Sequence, residues 1–246
     1  MVSHGYHGSA LSHYDTTQAL AKAGFIVASV NHPGDAATSS QHEQDISVFR
    51  ERPRDIQRLL EYVLSDPQTG PSIDADRIGF FGFSRGGYTG LVLAGATPDF
   101  FRARLPCPDP YAKICQQTAA PDMDMRTYRI VEPRIKALVL ADPLNAFADE
   151  KALRHVGMPI QLWISHDGGD GVLPAQVHAL VQTLPSPPET HLAPDAGHFA
   201  FLAVCPPLLK RQLPAICQDR PGFDRAAFHR SFNDDVVGFF RKSLGR

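Results

Sequence analysis

One serine constrains this chain more than any other feature, because it is held between glycines where an apolar run gives way to a small-residue one. Residues Arg77 to Ala96 read R-I-G-F-F-G-F-S-R-G-G-Y-T-G-L-V-L-A-G-A. Ile78 to Phe83 has the length and aromatic-rich composition of a buried strand. Gly87 to Ala96 is small and apolar enough to continue as a helix packed closely on a sheet. Ser84 stands at the junction, with Gly82 and Gly86 completing G-x-S-x-G. Strand, sharp turn and helix around one serine form a nucleophile elbow. The glycines are a steric requirement, since only residues without a Cβ let strand and helix pass so closely beside a strained serine.

The rest of the chain alternates strand-like and helix-like stretches. Val2-Ser3-His4-Gly5-Tyr6-His7-Gly8-Ser9 reads as the tail of a strand running into a Gly-containing loop. Asp15 to Ala23 reads as a helix stopped by Gly24, and Phe25 to Val30 as a β-branched strand. Ala36 to Gln44 is polar and irregular. Pro53 is expected to open a helix running to about Leu64, with Ile56, Leu59, Leu60 and Val63 on one face. Ile135 to Ala141 and Pro159 to Ser165 are further buried strands, Pro174 to Leu184 a helix, Glu189 to Leu192 a short edge strand, and Phe223 to Leu244 a closing helix. Thr97 to Arg134 breaks this rhythm with Pro, Arg, Asp and Cys, and reads as an inserted cap or lid. Alternation of this kind predicts one α/β domain over residues 1–246, with a mostly parallel sheet covered by helices on both faces.

Composition narrows the partners. A formal charge of −2 argues against nucleic acid or an anionic membrane surface, and no apolar run reaches membrane-spanning length. Four cysteines fall as two local pairs, Cys107 with Cys115 and Cys205 with Cys217. They permit two short-loop disulfides in an oxidising compartment, and equally four reduced thiols in a cytosolic enzyme. Localisation therefore stays open: cytoplasmic as the chain stands, periplasmic or secreted if an N-terminal export signal is missing. The oligomeric state stays open too.

In a parallel sheet, functional groups gather at the carboxyl ends of the strands. Ser84, Asp142, Asp170 and His198 follow successive strands there. That chain order is the Ser-Asp-His order of a triad. A serine hydroxyl is a poor nucleophile until a base takes its proton, an imidazole can do so near neutral pH, and a carboxylate fixes the imidazole tautomer. Backbone N–H groups of Arg85 and Tyr6 are the expected oxyanion-hole donors. His4 and His7 lie close together but have no acidic or cysteine partner at ligand spacing, so they are expected to brace the loop rather than to hold a metal. His32 is expected to line the site as a hydrogen-bonding loop residue.

The motifs G-F-S-R-G-G, H-G-Y-H-G-S, N-H-P-G, D-G-V-L-P and A-G-H-F-A-F-L together resemble the α/β-hydrolase superfamily. More narrowly they resemble bacterial predicted dienelactone hydrolases and platelet-activating-factor-acetylhydrolase-like serine esterases, over nearly the whole chain. The resemblance implies a cofactor-free serine hydrolase that cleaves a small-molecule carboxylic ester through an acyl-serine intermediate. Thioester hydrolysis or acyl transfer on the same triad is the alternative, as is a non-catalytic binding protein. Authentic dienelactone hydrolases carry a cysteine where this chain has Ser84, which speaks against lactone activity. Relatives also have strands before the His-Gly loop, so leading strands are expected to be missing. For the triad acid, Asp142 occupies the position used by the acetylhydrolase-like relatives. Asp170 occupies the one used by most of the superfamily, and Asp170-Gly171-Val172-Leu173-Pro174 resembles its D-x-x-V-P turn. Asp170 is accordingly favoured, with Asp142 as the alternative.

Overall fold

The computed structural model describes residues 1–39, 45–107, 110–120 and 130–245. Five parallel strands form one sheet in chain order: β1 (Val2–Ser3), β2 (Ile78–Phe83), β3 (Ile135–Ala141), β4 (Ile160–Ser165) and β5 (Glu189–Ala193). Among the described residues ten α-helices run between and after them: α1 (Tyr14–Lys22), α2 (Ser47–Ser65), α3 (Arg85–Leu93), α4 (Phe100–Ala103), α5 (Lys113–Thr118), α6 (Glu150–Leu153), α7 (Pro174–Thr183), α8 (Pro207–Gln212), α9 (Pro214–Cys217) and α10 (Arg225–Ser243).

The central strands are mostly apolar because both of their faces are covered, with Lys136 exposed in β3 and Gln161 and Ser165 the buried polar residues of β4. Phe80, Leu138, Leu140, Leu162 and Ile164 pack with α2, α3 and α7 on one side. Phe81, Phe83, Val139, Ala141 and Trp163 pack with α1 and α10 on the other. The two sets alternate along each strand, as the period of two in an extended chain requires. Leu20 of α1 and Phe232, Val236, Phe239 and Phe240 of α10 close the second face.

Two expectations need correction. Phe25 to Val30 is not a strand of the sheet; it runs along the outer side of β1 and makes one bridge, Ser29 to Val2. Its neighbour is only two residues long, so just two ladder bonds form: Val2 N–H to the Ala28 carbonyl at 2.9 Å and Val30 N–H to the Val2 carbonyl at 3.3 Å. The other concerns Pro53, which lies inside α2 rather than opening it. The helix starts six residues earlier, where the Asp45 carboxylate accepts the Ser47 N–H at 2.9 Å. Pro53 leaves the Phe49 carbonyl without its usual i+4 donor. The turn survives because Phe49, Arg52, Pro53 and Ile56 are all buried on one face.

The chain leaves β1, passes to its outer side at residues 25–30, and returns to the inner side as β2. The order of chain segments across the sheet therefore reverses beside β1 and β2, where the carboxyl ends of neighbouring strands leave a crevice. Residues 97–134, expected to form a lid, hold α4 and α5, and 108–109 and 121–129 lie outside the described residues. The irregular stretch expected at 36–44 likewise runs outside them after residue 39. Both cysteine pairs, Cys107–Cys115 and Cys205–Cys217, are disulfides.

Candidate active site

The site begins with backbone strain. Ser84 has φ 54° and ψ −117°, a region that L-residues rarely adopt and that costs about 1–3 kcal/mol. Neighbouring contacts enforce it. A Cβ on Gly82 would lie 2.3 Å from the Gly86 carbonyl oxygen, and one on Gly86 would lie 2.1 Å from the Ser3 carbonyl oxygen. Strand, turn, helix and β1 can meet this closely only with glycine at both positions. The Ser84 N–H is anchored on the Ala141 carbonyl at 3.0 Å, which ties the turn to β3.

The next residue of β3's exit is Asp142, also at positive φ (41°) and fully buried. Its N–H binds the Trp163 carbonyl of β4 at 2.9 Å. Its carboxylate accepts the Ser165 N–H at 2.8 Å, the Ser165 hydroxyl, and His198 Nδ1–H at 3.0 Å. His198 opens the short 3₁₀ turn His198–Phe201, with its own N–H on the Gly168 carbonyl at 2.8 Å. The imidazole lies 4.5 Å from the Phe83 ring and is 1% exposed. Its second nitrogen, Nε2, is buried and has no hydrogen-bond partner among the described residues. An imidazole with Nδ1–H held by a carboxylate presents Nε2 as a lone-pair acceptor, the form a general base needs.

The sequence reading placed Asp170 ahead of Asp142 as the partner of His198, and the geometry reverses that order. Asp170 sits at positive φ (50°) in the exposed turn Asp167 to Gly171 and makes no hydrogen bond or ion pair among the described residues. Desolvation pushes its carboxyl above the usual range, opposed by the nearby charges of His198 and Arg85, so it borders the site without orienting the base. Asp167, one step nearer the strand, pairs instead with His166 and Arg220 at the surface.

The two expected oxyanion donors flank the serine. Arg85 is the first residue of α3, and first-turn N–H groups have no acceptor within a helix. Tyr6 follows Gly5, where an added Cβ would lie 3.2 Å from Ser84 Cβ. The loop before Tyr6 is fixed by buried histidines. His4 Nδ1–H donates to the Gly5 carbonyl at 2.7 Å, and its Nε2 accepts the His32 N–H at 3.2 Å. Burial, and next the Arg52 charge, hold His4 down to about 3, and the same two causes keep His32 well below the usual histidine range. His32 does not line the pocket as expected. It is fully buried between the Ser3 hydroxyl at 2.8 Å and the Asp55 carboxylate at 3.0 Å.

Sequence reasoning missed several supporting residues. Ser165, which braces Asp142, is a polar residue at the end of an apolar strand. Arg52 and Asp35 are buried polar groups behind the Tyr6 loop, and Arg52 falls on the apolar stripe of α2 with Phe49 and Ile56. His229 binds the Ala200 carbonyl at 2.8 Å, and His13 binds that of Phe201 at 3.2 Å. Together they grip the turn that carries His198. Among the described residues no cluster of three or more His, Cys, Asp or Glu side chains stands where it could hold a metal, and no helix is long and apolar enough to cross a membrane.

With that geometry described, comparison with known proteins adds the following. The prolyl oligopeptidase family model matches residues 12–117. Among solved structures, a predicted CIB-like hydrolase from Thermoplasma acidophilum is similar over 96% of this chain and 86% of that one, with a TM-score of 0.54 and 13% sequence identity. No curated protein matches the sequence. The all-parallel sheet with helices on both faces is thus the fold of the α/β-hydrolase superfamily. The family match over residues 12–117 supports a serine hydrolase, and the structural neighbour supports the fold.

Proposed function

We propose that this chain hydrolyses carboxylic esters of small molecules through an acyl-serine intermediate. The observation that carries the reading is a strained serine, Ser84, at the same carboxyl edge of the sheet as a buried His198–Asp142 pair whose Nε2 has no hydrogen-bond partner among the described residues. Ser84 attacks the ester carbonyl while His198 Nε2 takes its proton. Asp142 holds the imidazole in the receptive tautomer and stabilises it once charged. The N–H groups of Arg85 and Tyr6 donate to the tetrahedral oxyanion. His198 then protonates the departing alkoxide, and a water activated by the same imidazole releases the acid and restores Ser84. No step needs a metal or an organic cofactor.

Esters are favoured by the likeness of the elbow, oxyanion and histidine motifs to serine esterases. The match to the prolyl oligopeptidase family supports a second reading, a peptidase using the same triad. Residues 97–134 are proposed as the lid that sets specificity. A fluorophosphonate probe, with Ser84→Ala as control, tests the chemistry, and paired panels of aryl esters and peptide anilides test the substrate. Labelling confined to Ser84 with ester turnover supports the proposal, whereas turnover of anilides alone moves the assignment to a peptidase. A parent chain that is neither labelled nor active would sink the hydrolase reading.

A further inference from the structure

Behind the proposed oxyanion hole lies a group of charges that the reaction itself does not consume. Asp35 is fully buried and is bound from two sides: Oδ2 accepts from Arg52 Nη1 at 2.6 Å and Oδ1 from Arg85 Nη1 at 3.0 Å. Each guanidinium reaches on to one arm of the hole. Arg52, 1% exposed, donates through Nη2 to the His4 carbonyl, just ahead of Gly5 and Tyr6, and through Nε to Thr89 Oγ1 at 3.3 Å. Thr89 in turn donates to the Arg85 carbonyl at 2.8 Å. The Arg85 guanidinium lies 4.2 Å over the centroid of the Tyr6 ring.

Stability is a poor explanation for this arrangement. Two guanidinium groups facing one buried carboxylate carry a desolvation cost that apolar side chains of similar volume would avoid. What the group accomplishes is alignment. One carboxylate fixes the distance between Arg52, which holds the Tyr6 side, and Arg85, whose own N–H forms the other side. The excess positive charge also stands behind the point where negative charge develops. We infer that Asp35, Arg52 and Arg85 form a clamp that sets the spacing of the Tyr6 and Arg85 N–H donors for the oxyanion. Their side chains are positioning residues. The inference rests on the serine-hydrolase reading of the site.

The test uses the intact chain, an aryl ester and an aryl trifluoromethyl ketone. Addition of the Ser84 oxygen to the ketone carbonyl forms a C–O bond, the carbonyl pair becomes an oxyanion, and the hydroxyl proton passes to His198. Ketone affinity therefore reports the hole directly. Arg85→Met removes the guanidinium and keeps the backbone N–H. Arg52→Lys keeps the charge but has no fork to span Asp35 and the His4 carbonyl. Active sites are counted by fluorophosphonate titration, so a loss of folded protein lowers the count and not the rate per site. Both variants should lose roughly 10- to 100-fold in kcat per site, the scale of a small misplacement of catalytic groups. KM should stay within about twofold, and ketone affinity should fall by the same factor as kcat. If Arg52→Lys does not fold, Arg85→Met decides alone. Titratable variants with kcat and ketone affinity within about twofold of the parent overturn the clamp alone. A parent that neither takes the probe nor binds the ketone overturns the hydrolase reading and the clamp together.

Discussion

Replacing Asp142 with asparagine should disable the enzyme while leaving it folded, and the hydrogen bonds around the carboxylate say why. Oδ1 accepts the Ser165 N–H, a backbone donor that cannot turn away. The oxygen of an asparagine must therefore take that place, which puts its NH₂ where Oδ2 now faces His198 Nδ1 and the Ser165 hydroxyl. The hydroxyl can rotate to accept. His198 can accept only by moving its proton to Nε2, and an Nε2–H imidazole cannot take the Ser84 proton. The loss expected for a triad aspartate made asparagine is about 10⁴ in kcat, or ~5.4 kcal/mol at 1.36 kcal/mol per tenfold. The Ser165 hydroxyl proton loses its acceptor and the His198 Nε2–H has none among the described residues, so stability should fall by about 1–3 kcal/mol, the cost of a buried donor left unsatisfied. Asp170→Asn changes an exposed carboxylate without hydrogen bonds and should stay within about fivefold of the parent, the effect of one screened charge near His198. Steady-state kinetics on one aryl ester, with thermal melts of all three proteins, decide the matter. A crippled Asp170→Asn beside a near-normal Asp142→Asn would refute the assignment.

Acid should weaken the fold before it protonates most carboxylates. Unfolded histidines take up protons near 6.5, whereas burial holds His13 down to about 4 and His4 to about 3, so the unfolded chain binds more protons in between and stability falls as pH drops below 6.5. Each contributes about 3 kcal/mol or more by the end of its window, partly offset by Asp55, whose burial raises it from 3.8 to about 6 and so adds stability over that lower range. Urea midpoints that hold steady from pH 7 to 4 would contradict this. Denatured, unreduced protein should titrate with no free thiol, and reduction should cost roughly 2.5–3 kcal/mol for each of the two short loops; four thiols without reductant would reject both bridges. Gly86→Ala should cost at least about 1–3 kcal/mol by driving α3 against the Ser3 carbonyl, and a melt equal to the parent's would refute that contact.

The legible parts of this fold were those fixed by local rules. β2 and β3 have the bounds their apolar runs indicate, because both are buried but for Gly79 and Lys136 and stop where Ser84 and Asp142 begin turns at positive φ. The elbow was legible because its steric demand is met within five residues. Residues 25–30 misled because β-branched composition speaks of a pleated, half-buried setting, while pairing depends on a partner with free backbone groups. Pro53 misled because the preference of proline for a helix start is weak beside a buried face that includes Phe49 and Ile56. The choice of acid was beyond local rules altogether. Asp142 and Asp170 both follow strands, but which one meets His198 depends on how β3 and β4 align and on the turn at 167–171, where Gly168, Gly169, Asp170 and Gly171 all have positive φ.

Alignment of that kind also determines where the site draws its accuracy from. Ser84 is tied to β3 through the Ala141 carbonyl, Asp142 to β4 through the Trp163 carbonyl and Ser165, and His198 to the turn after β4 through the Gly168 carbonyl. Ser84 and Asp142 are thus spaced by hydrogen bonds between adjacent strand ends, whose separation of about 4.8 Å varies little among sheets. Loops alone hold functional groups less accurately than such a scaffold. The Tyr6 arm is the exception. It leaves a strand of two residues, so the sheet gives it little hold. That is the side on which the buried charges of Asp35 and Arg52 are concentrated, and where removing one side chain should disturb chemistry most for the least change in fold.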